Sequence, residues 1–145
     1  MSQYADDFYA WTQTQAAALR AKDWVALDLE NLAEEIESLG KRDRRAVESY
    51  LEVIAKHLLK WRYQPARRTP SWRHSVRQAR TRLSRLLRDH RTLRAQVDQL
   101  LADAYPAARR AAAEETGLPL ATFPEACPWP AEQLQDEDFW PEEGP

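Results

Sequence analysis

The chain has 145 residues, 43% hydrophobic and 30% charged, which suits one domain with a real apolar core beneath a charged surface. No stretch approaches the ~18 consecutive apolar residues of a membrane-spanning helix. Three scattered glycines, Gly40, Gly117 and Gly144, exclude a glycine-rich phosphate loop. The lone Cys127 forms neither an internal disulfide nor a thiolate zinc cage. The opening MSQYADDFYAW lacks the layout of a secretion signal, so a cytoplasmic protein is expected.

Apolar residues recur at helical spacing, and no strand-like alternation persists. A first helix is predicted over about 5–21 on Phe8, Trp11, Gln15 and Leu19. Asp23 reads as a cap for a short turn with Trp24 and Leu27, and Asp28 as the N-cap of a helix on Leu29, Leu32, Ala33, Ile36 and Leu39. Gly40 suits the left-handed position that ends a helix, leaving a break or a bend as alternatives. A third helix follows over about 42–63 on Val47, Tyr50, Leu51, Ile54, Leu58 and Trp61. Thr69-Pro70 is a helix start, because proline at the first helical position needs no N–H partner. The fourth helix carries Trp72, Val76, Ala79, Leu83, Leu86 and Leu87. A fifth restarts near Thr92 on Leu93, Val97, Leu100, Leu101, Ala104 and Ala108, with Pro106 expected to kink or split it. Thr116-Gly117-Leu118-Pro119 reads as a stop.

Beyond Leu118, six of the nine prolines alternate with Phe123, Trp129, Phe139 and Trp140. Large aromatics are anchors, so this segment is expected to lie on the bundle, with the final EEGP frayed. The fold class is therefore all-α: an antiparallel bundle of about five helices (1–118) with an extended proline-rich C-terminal strap (119–145).

The blocks DFYAWTQTQAAALR (7–20), DLENLAEEIESLG (28–40), HLLKWRYQP (57–65), SWRHSVRQAR (71–80) and AAAEETGLPLATFPEACPW (111–129) are specific. Together they resemble the bacterial domain-of-unknown-function 29 family, in its order and over nearly the whole chain. The resemblance implies a small helical protein of a type common in cyanobacteria and proteobacteria, without an established activity. It carries over no catalytic residues. One departure is DHRTLR at the start of the fifth helix, where a Ser-Pro turn is often found; it bears only on that boundary.

The net charge of −2 conceals three blocks. Residues 1–40 set two basic residues against eight acids, a net −6; residues 41–94 set seventeen against four, a net +13; residues 95–145 set two against eleven, a net −9. Such segregation means either an internal match or a basic face kept for an anionic partner. The internal match is expected. Glu30, Glu34 and Glu37 form one stripe beside the apolar face of their helix, and an arginine stripe with Arg80 nearest the core flanks another. Pairing of the two would make a charge seam fixing which helices are neighbours. The acidic strap could also lie across the basic centre.

Other constellations admit chemistry. Glu30, Glu34 and Glu37 with His57 are candidate metal ligands, although the Glu-x-x-His spacing of bundle metal sites is missing. In KWRYQPARRTPSWR (60–73), basic residues alternate with aromatics, as in proteins that stack unpaired bases. Trp61 and Trp72 are nevertheless in phase with core stripes. Arg67 and Arg68 are the residues least explained by packing, and with Arg73 and Arg77 they are the candidate anion or partner contacts. Nothing resembles a nucleophilic triad.

The expectation is a non-enzymatic macromolecular interaction module with no cofactor and no membrane attachment, whose partner is a protein. The alternatives are a nucleic-acid binder using 62–94 and a metal-dependent hydrolase or nuclease on the Glu/His set.

Overall fold

A computed structural model describes residues 2–141, and among these there are seven α-helices and no strand. The chain divides into two compact units, residues 1–42 and 43–145. The strap, as far as it is described, belongs with the second. The EEGP terminus lies outside the described residues.

The first unit begins with α1 (Gln3–Asp6) and α2 (Phe8–Arg20), where one helix over 5–21 was predicted. Asp7 divides them. Its φ of −149° is not helical, and its carboxylate accepts the Ala10 N–H at 3.0 Å as the N-cap of α2. At its other end α2 closes on a left-handed residue: Lys22 has φ 57°, its N–H bonds Leu19 O, and the Asp23 N–H bonds Ala18 O. A 3-10 turn (Trp24–Ala26) then leads to α3. Buried Gln15 fixes that turn by accepting the Asp28 N–H at 2.8 Å and donating to Ala26 O at 3.3 Å. The Asp28 carboxylate accepts from the Asn31 side chain at 2.8 Å and the Trp11 indole at 3.0 Å. Those bonds, the Asn31 amide first, hold it below the ordinary aspartate range against the opposing effect of burial. Tyr4 donates to Glu35 and rests edge-on against Phe8 and Trp11.

The predicted second and third helices are one. Helix α3 runs from Leu29 to Tyr63, 35 residues, straight through Gly40. Gly40 therefore does not take the left-handed conformation expected of it, whereas Gly117, with φ 75°, does and closes α6. The reason is context: the apolar positions before and after Gly40 keep the same phase, and a glycine within a helix costs only about 1 kcal/mol relative to alanine.

In the second unit, α4 (Pro70–Asp89) starts as predicted, with the Thr69 hydroxyl accepting the Trp72 N–H at 3.2 Å. The short link between α3 and α4 makes them antiparallel neighbours. The fifth helix splits, but at Gln96 and not at the proline: α5 (Arg91–Ala95) is followed by α6 (Val97–Thr116), which continues through Pro106. The core joins Val47, Leu51, Ile54 and Leu58 of α3 to Val76, Leu83 and Leu87 of α4 and to Leu100, Tyr105 and Ala108 of α6. Phe123, Trp129 and Leu134 of the strap complete it. The strap contains a 3-10 turn (Leu120–Thr122) and α7 (Ala131–Gln135).

Candidate functional site

The functional question is where the basic centre points. Arg80 is 2% exposed, and its guanidinium donates to backbone carbonyls of the strap: Nε to Leu134 O at 2.7 Å, Nη2 to Phe139 O at 2.9 Å and to Gln133 O at 3.3 Å. This corrects the role expected for it. Glu30, Glu34 and Glu37 are exposed residues of the first unit, whereas Arg80 finds its acceptors in the strap of its own unit. A proline-rich segment has few regular hydrogen bonds, so its buried carbonyls need donors from elsewhere, and a guanidinium fork supplies several. Arg109 does the same at the strap's start, donating to Phe123 O and Leu120 O at 3.0 and 3.1 Å, and Tyr105 donates to Pro124 O at 2.6 Å. Burial lowers the Arg80 pKa; Asp136, Glu137 and Asp138 oppose that shift by favouring the charge.

Beside Arg80 lies a stack of indoles and guanidiniums. Trp61 and Trp140 are 4.5 Å apart between centroids; Arg73 lies 4.9 Å from each ring, Arg68 4.6 Å from Trp61, and Arg80 5.4 Å from Trp140. Trp61 is 8% exposed, and Lys60 Nζ sits 4.6 Å over Trp72. Trp61 is therefore not a free platform for a base, and Lys60 occupies one face of the half-buried Trp72. Arg68 Nε donates to Trp61 O at 2.8 Å, closing the end of α3, while its Nη2 is buried with no hydrogen-bond partner among the described residues. Arg68, Arg73, Trp61, Thr69 and Pro70 line an open cleft of about 320 Å³ at the N-terminus of α4.

Further along α4 the side chains turn outward. Arg77, Arg82, Arg85 and Arg88 are exposed and, among the described residues, form no ion pair. His74, Arg77, Thr81, Arg82 and Arg85 border a shallow groove of about 310 Å³. Glu137 and Asp138 approach one edge of this ridge, lining a cleft with Arg77 and Thr81. Of the four residues expected to contact an anion, Arg68 and Arg73 thus share the cleft, Arg77 begins the ridge, and Arg67 is exposed on the connecting turn.

The residues proposed as metal ligands do not assemble. Among the described residues no three of His, Cys, Asp and Glu gather where a cation could be held. His57 Nδ1 donates to Val53 O at 2.8 Å, and burial, with Lys56 and Lys60 nearby, lowers its pKa. Cys127 is half-buried against a cavity of about 420 Å³, and burial raises its thiol pKa, the opposite of an activated nucleophile. One cluster was missed in the sequence. Glu115 of α6 accepts from Lys56 and Lys60 of α3, each at 2.9 Å. The i, i+4 lysines were legible, but their partner, 55 residues beyond Lys60, was not.

These features define an all-α protein whose basic helix is gripped on one side by a proline-rich strap and open on the other. The chain matches the model of the family described as domain of unknown function DUF29 over residues 3–140, and it belongs to that family. No curated protein and no solved structure gives a match. Among the described residues, no helix is long and apolar enough to cross a membrane.

Proposed function

We propose that the protein is a non-enzymatic interaction module that takes an acidic segment of a partner protein along α4. Carboxylates would enter the Arg68–Arg73 cleft and continue onto the Arg77–Arg85 ridge. The observation that carries this reading is the exposed ridge itself: Arg77, Arg82, Arg85 and Arg88 have no carboxylate within ion-pair distance among the described residues, although acids abound in the chain. A guanidinium row is suited to bidentate carboxylate recognition. A protein partner is favoured over nucleic acid because Trp61, the indole lining the cleft, is buried beneath Arg68 and Arg73 and offers no face to a base.

The test is titration of the full chain with a fluorescent Glu/Asp-rich peptide and, separately, with single- and double-stranded oligonucleotides over a range of salt. The peptide is expected to bind, and Arg77→Ala with Arg85→Ala to weaken it by about ten-fold or more. Absence of peptide binding at low salt overturns the reading. Oligonucleotide binding with a steep salt slope, without peptide binding, replaces it with the nucleic-acid alternative.

A further inference from the structure

Helix α6 and the strap do not close on each other along their whole length. The strap is anchored by buried Phe123 and again by buried Trp129, and between these anchors Glu125, Ala126 and Cys127 border a cavity of about 420 Å³. The facing wall is α6, where Asp98, Leu101, Ala102 and Tyr105 follow one another at three- and four-residue spacing and so share a face. Leu101, Tyr105, Trp129 and Ala131 line the cavity and are themselves buried. Among the described residues none of α4 lines it, so it is separate from the basic cleft and ridge.

Close-packed interiors leave few voids larger than a water molecule, whereas small-molecule sites are largely apolar cavities of about 300–1,000 Å³ with a few polar groups. This cavity has that character. The Tyr105 hydroxyl is committed to Pro124 O at 2.6 Å, so the lining around it suits an apolar body. Charge comes from Asp98 and Glu125, both exposed, and neither has an ion-pair partner among the described residues. Other acids of α6 are paired: Asp103 with Arg44 at 3.6 Å, and Glu115 with Lys56 and Lys60 at 2.9 Å. Both walls belong to the block 95–145, of net −9, whose basic residues are Arg109 and Arg110. Arg109 already serves the strap's carbonyls. The local field therefore favours a cation over an anion.

The geometry points to a binding site for a small organic amine, with its apolar body in the cavity between α6 and the strap and its ammonium group at Asp98 and Glu125. The body is buried against Leu101, Tyr105 and Trp129, and the two carboxylates select the charge. Because Phe123 and Trp129 pin the strap on either side, the cavity exists before the amine arrives, and little ordering cost opposes binding.

Calorimetric titration of the full chain with naphthylethylamine tests this, beside naphthylethanol and naphthylacetate, which keep the rings and remove or reverse the charge. The amine is expected to bind at one site, about three-fold or more tighter than the alcohol, with the acetate weakest. Bound amine should also slow alkylation of Cys127 by iodoacetamide, an unambiguous reading because Cys127 is the chain's one thiol and lines the cavity. Asp98→Asn with Glu125→Gln should bring the amine down to the alcohol's affinity. Ala102→Trp fills the cavity from an exposed position and should abolish binding at unchanged helicity by circular dichroism. No saturable binding of the amine up to its solubility limit overturns the proposal. So does binding that leaves Cys127 alkylation as fast as in the free chain; both readings use the native chain and do not depend on how the variants fold. Equal affinity for amine and acetate, or a double variant that keeps the preference, overturns the role of the carboxylates. Binding indifferent to Ala102→Trp in a folded variant overturns the site. The α4 arginines are untouched throughout, so the outcome is independent of peptide binding there.

Discussion

At the residue scale, the basic side chains sort by what accepts from them. Arg80, Arg109 and Arg68 serve carbonyls; Lys56 and Lys60 serve one carboxylate; Arg77, Arg82, Arg85 and Arg88 have no ion-pair partner among the described residues. Glu115 gives this a measurable consequence. Burial pushes its pKa up, but the hydrogen bonds from Lys60 and Lys56 outweigh it and hold the carboxyl below its ordinary value of 4.5. A carboxyl depressed by folding contributes stability above its unfolded pKa and loses it as the pH falls through the folded one. Urea unfolding of Glu115→Gln should therefore show a deficit against the native chain at neutral pH that closes as the pH drops below about 4.5. Parallel curves across that range would show that the lysine pairs do not couple to folding.

At the scale of elements, the local signals that held were stereochemical. Thr69-Pro70 opened α4 and Gly117, at φ 75°, closed α6, because each residue type suits a backbone requirement that no neighbour can change. The signals that failed depended on surroundings. Gly40 stays helical, and a Cβ built there meets nothing within 4 Å. Gly40→Ala is accordingly expected to raise stability by about 0.5–1 kcal/mol, measured by chemical unfolding, through helix propensity alone. A loss would show that the glycine is needed for a close approach. Lys22 is the converse case: a left-handed position filled by a residue with a Cβ, which no propensity argument points to.

At the scale of the molecule, the strap shows why charge totals misled. Its acids and the +13 centre suggested ion pairing, yet the side chains that reach it go to backbone carbonyls: Arg80, backed by Trp140, to three of them, and Arg109 and Tyr105 to others. Replacing Arg80 by methionine keeps the bulk but removes those donors, leaving the buried Leu134 carbonyl and the half-buried Phe139 carbonyl unsatisfied, while Gln133 O keeps the Asp136 N–H. A loss of about 3 kcal/mol or more in urea unfolding is expected, with Arg80→Lys recovering only part because one ammonium cannot span three acceptors. A methionine variant within about 1 kcal/mol of the native chain would mean that the strap is held by its aromatics.

The amino-acid order alone determined the helical class, the start at Thr69-Pro70 and the stop at Gly117, the strap with its aromatic anchors, and the presence of a basic centre, since all of these follow from local stereochemistry and spacing. Tertiary structure decided which arginine meets which acceptor. It drew Arg80 to carbonyls, covered Trp61 with Arg68, Arg73 and Trp140, and left the outer arginines of α4 exposed. The physical reason is that a hydrogen-bond donor is satisfied by whichever acceptor packing brings within about 3 Å, and backbone carbonyls, present at every residue, leave no mark in a count of charges.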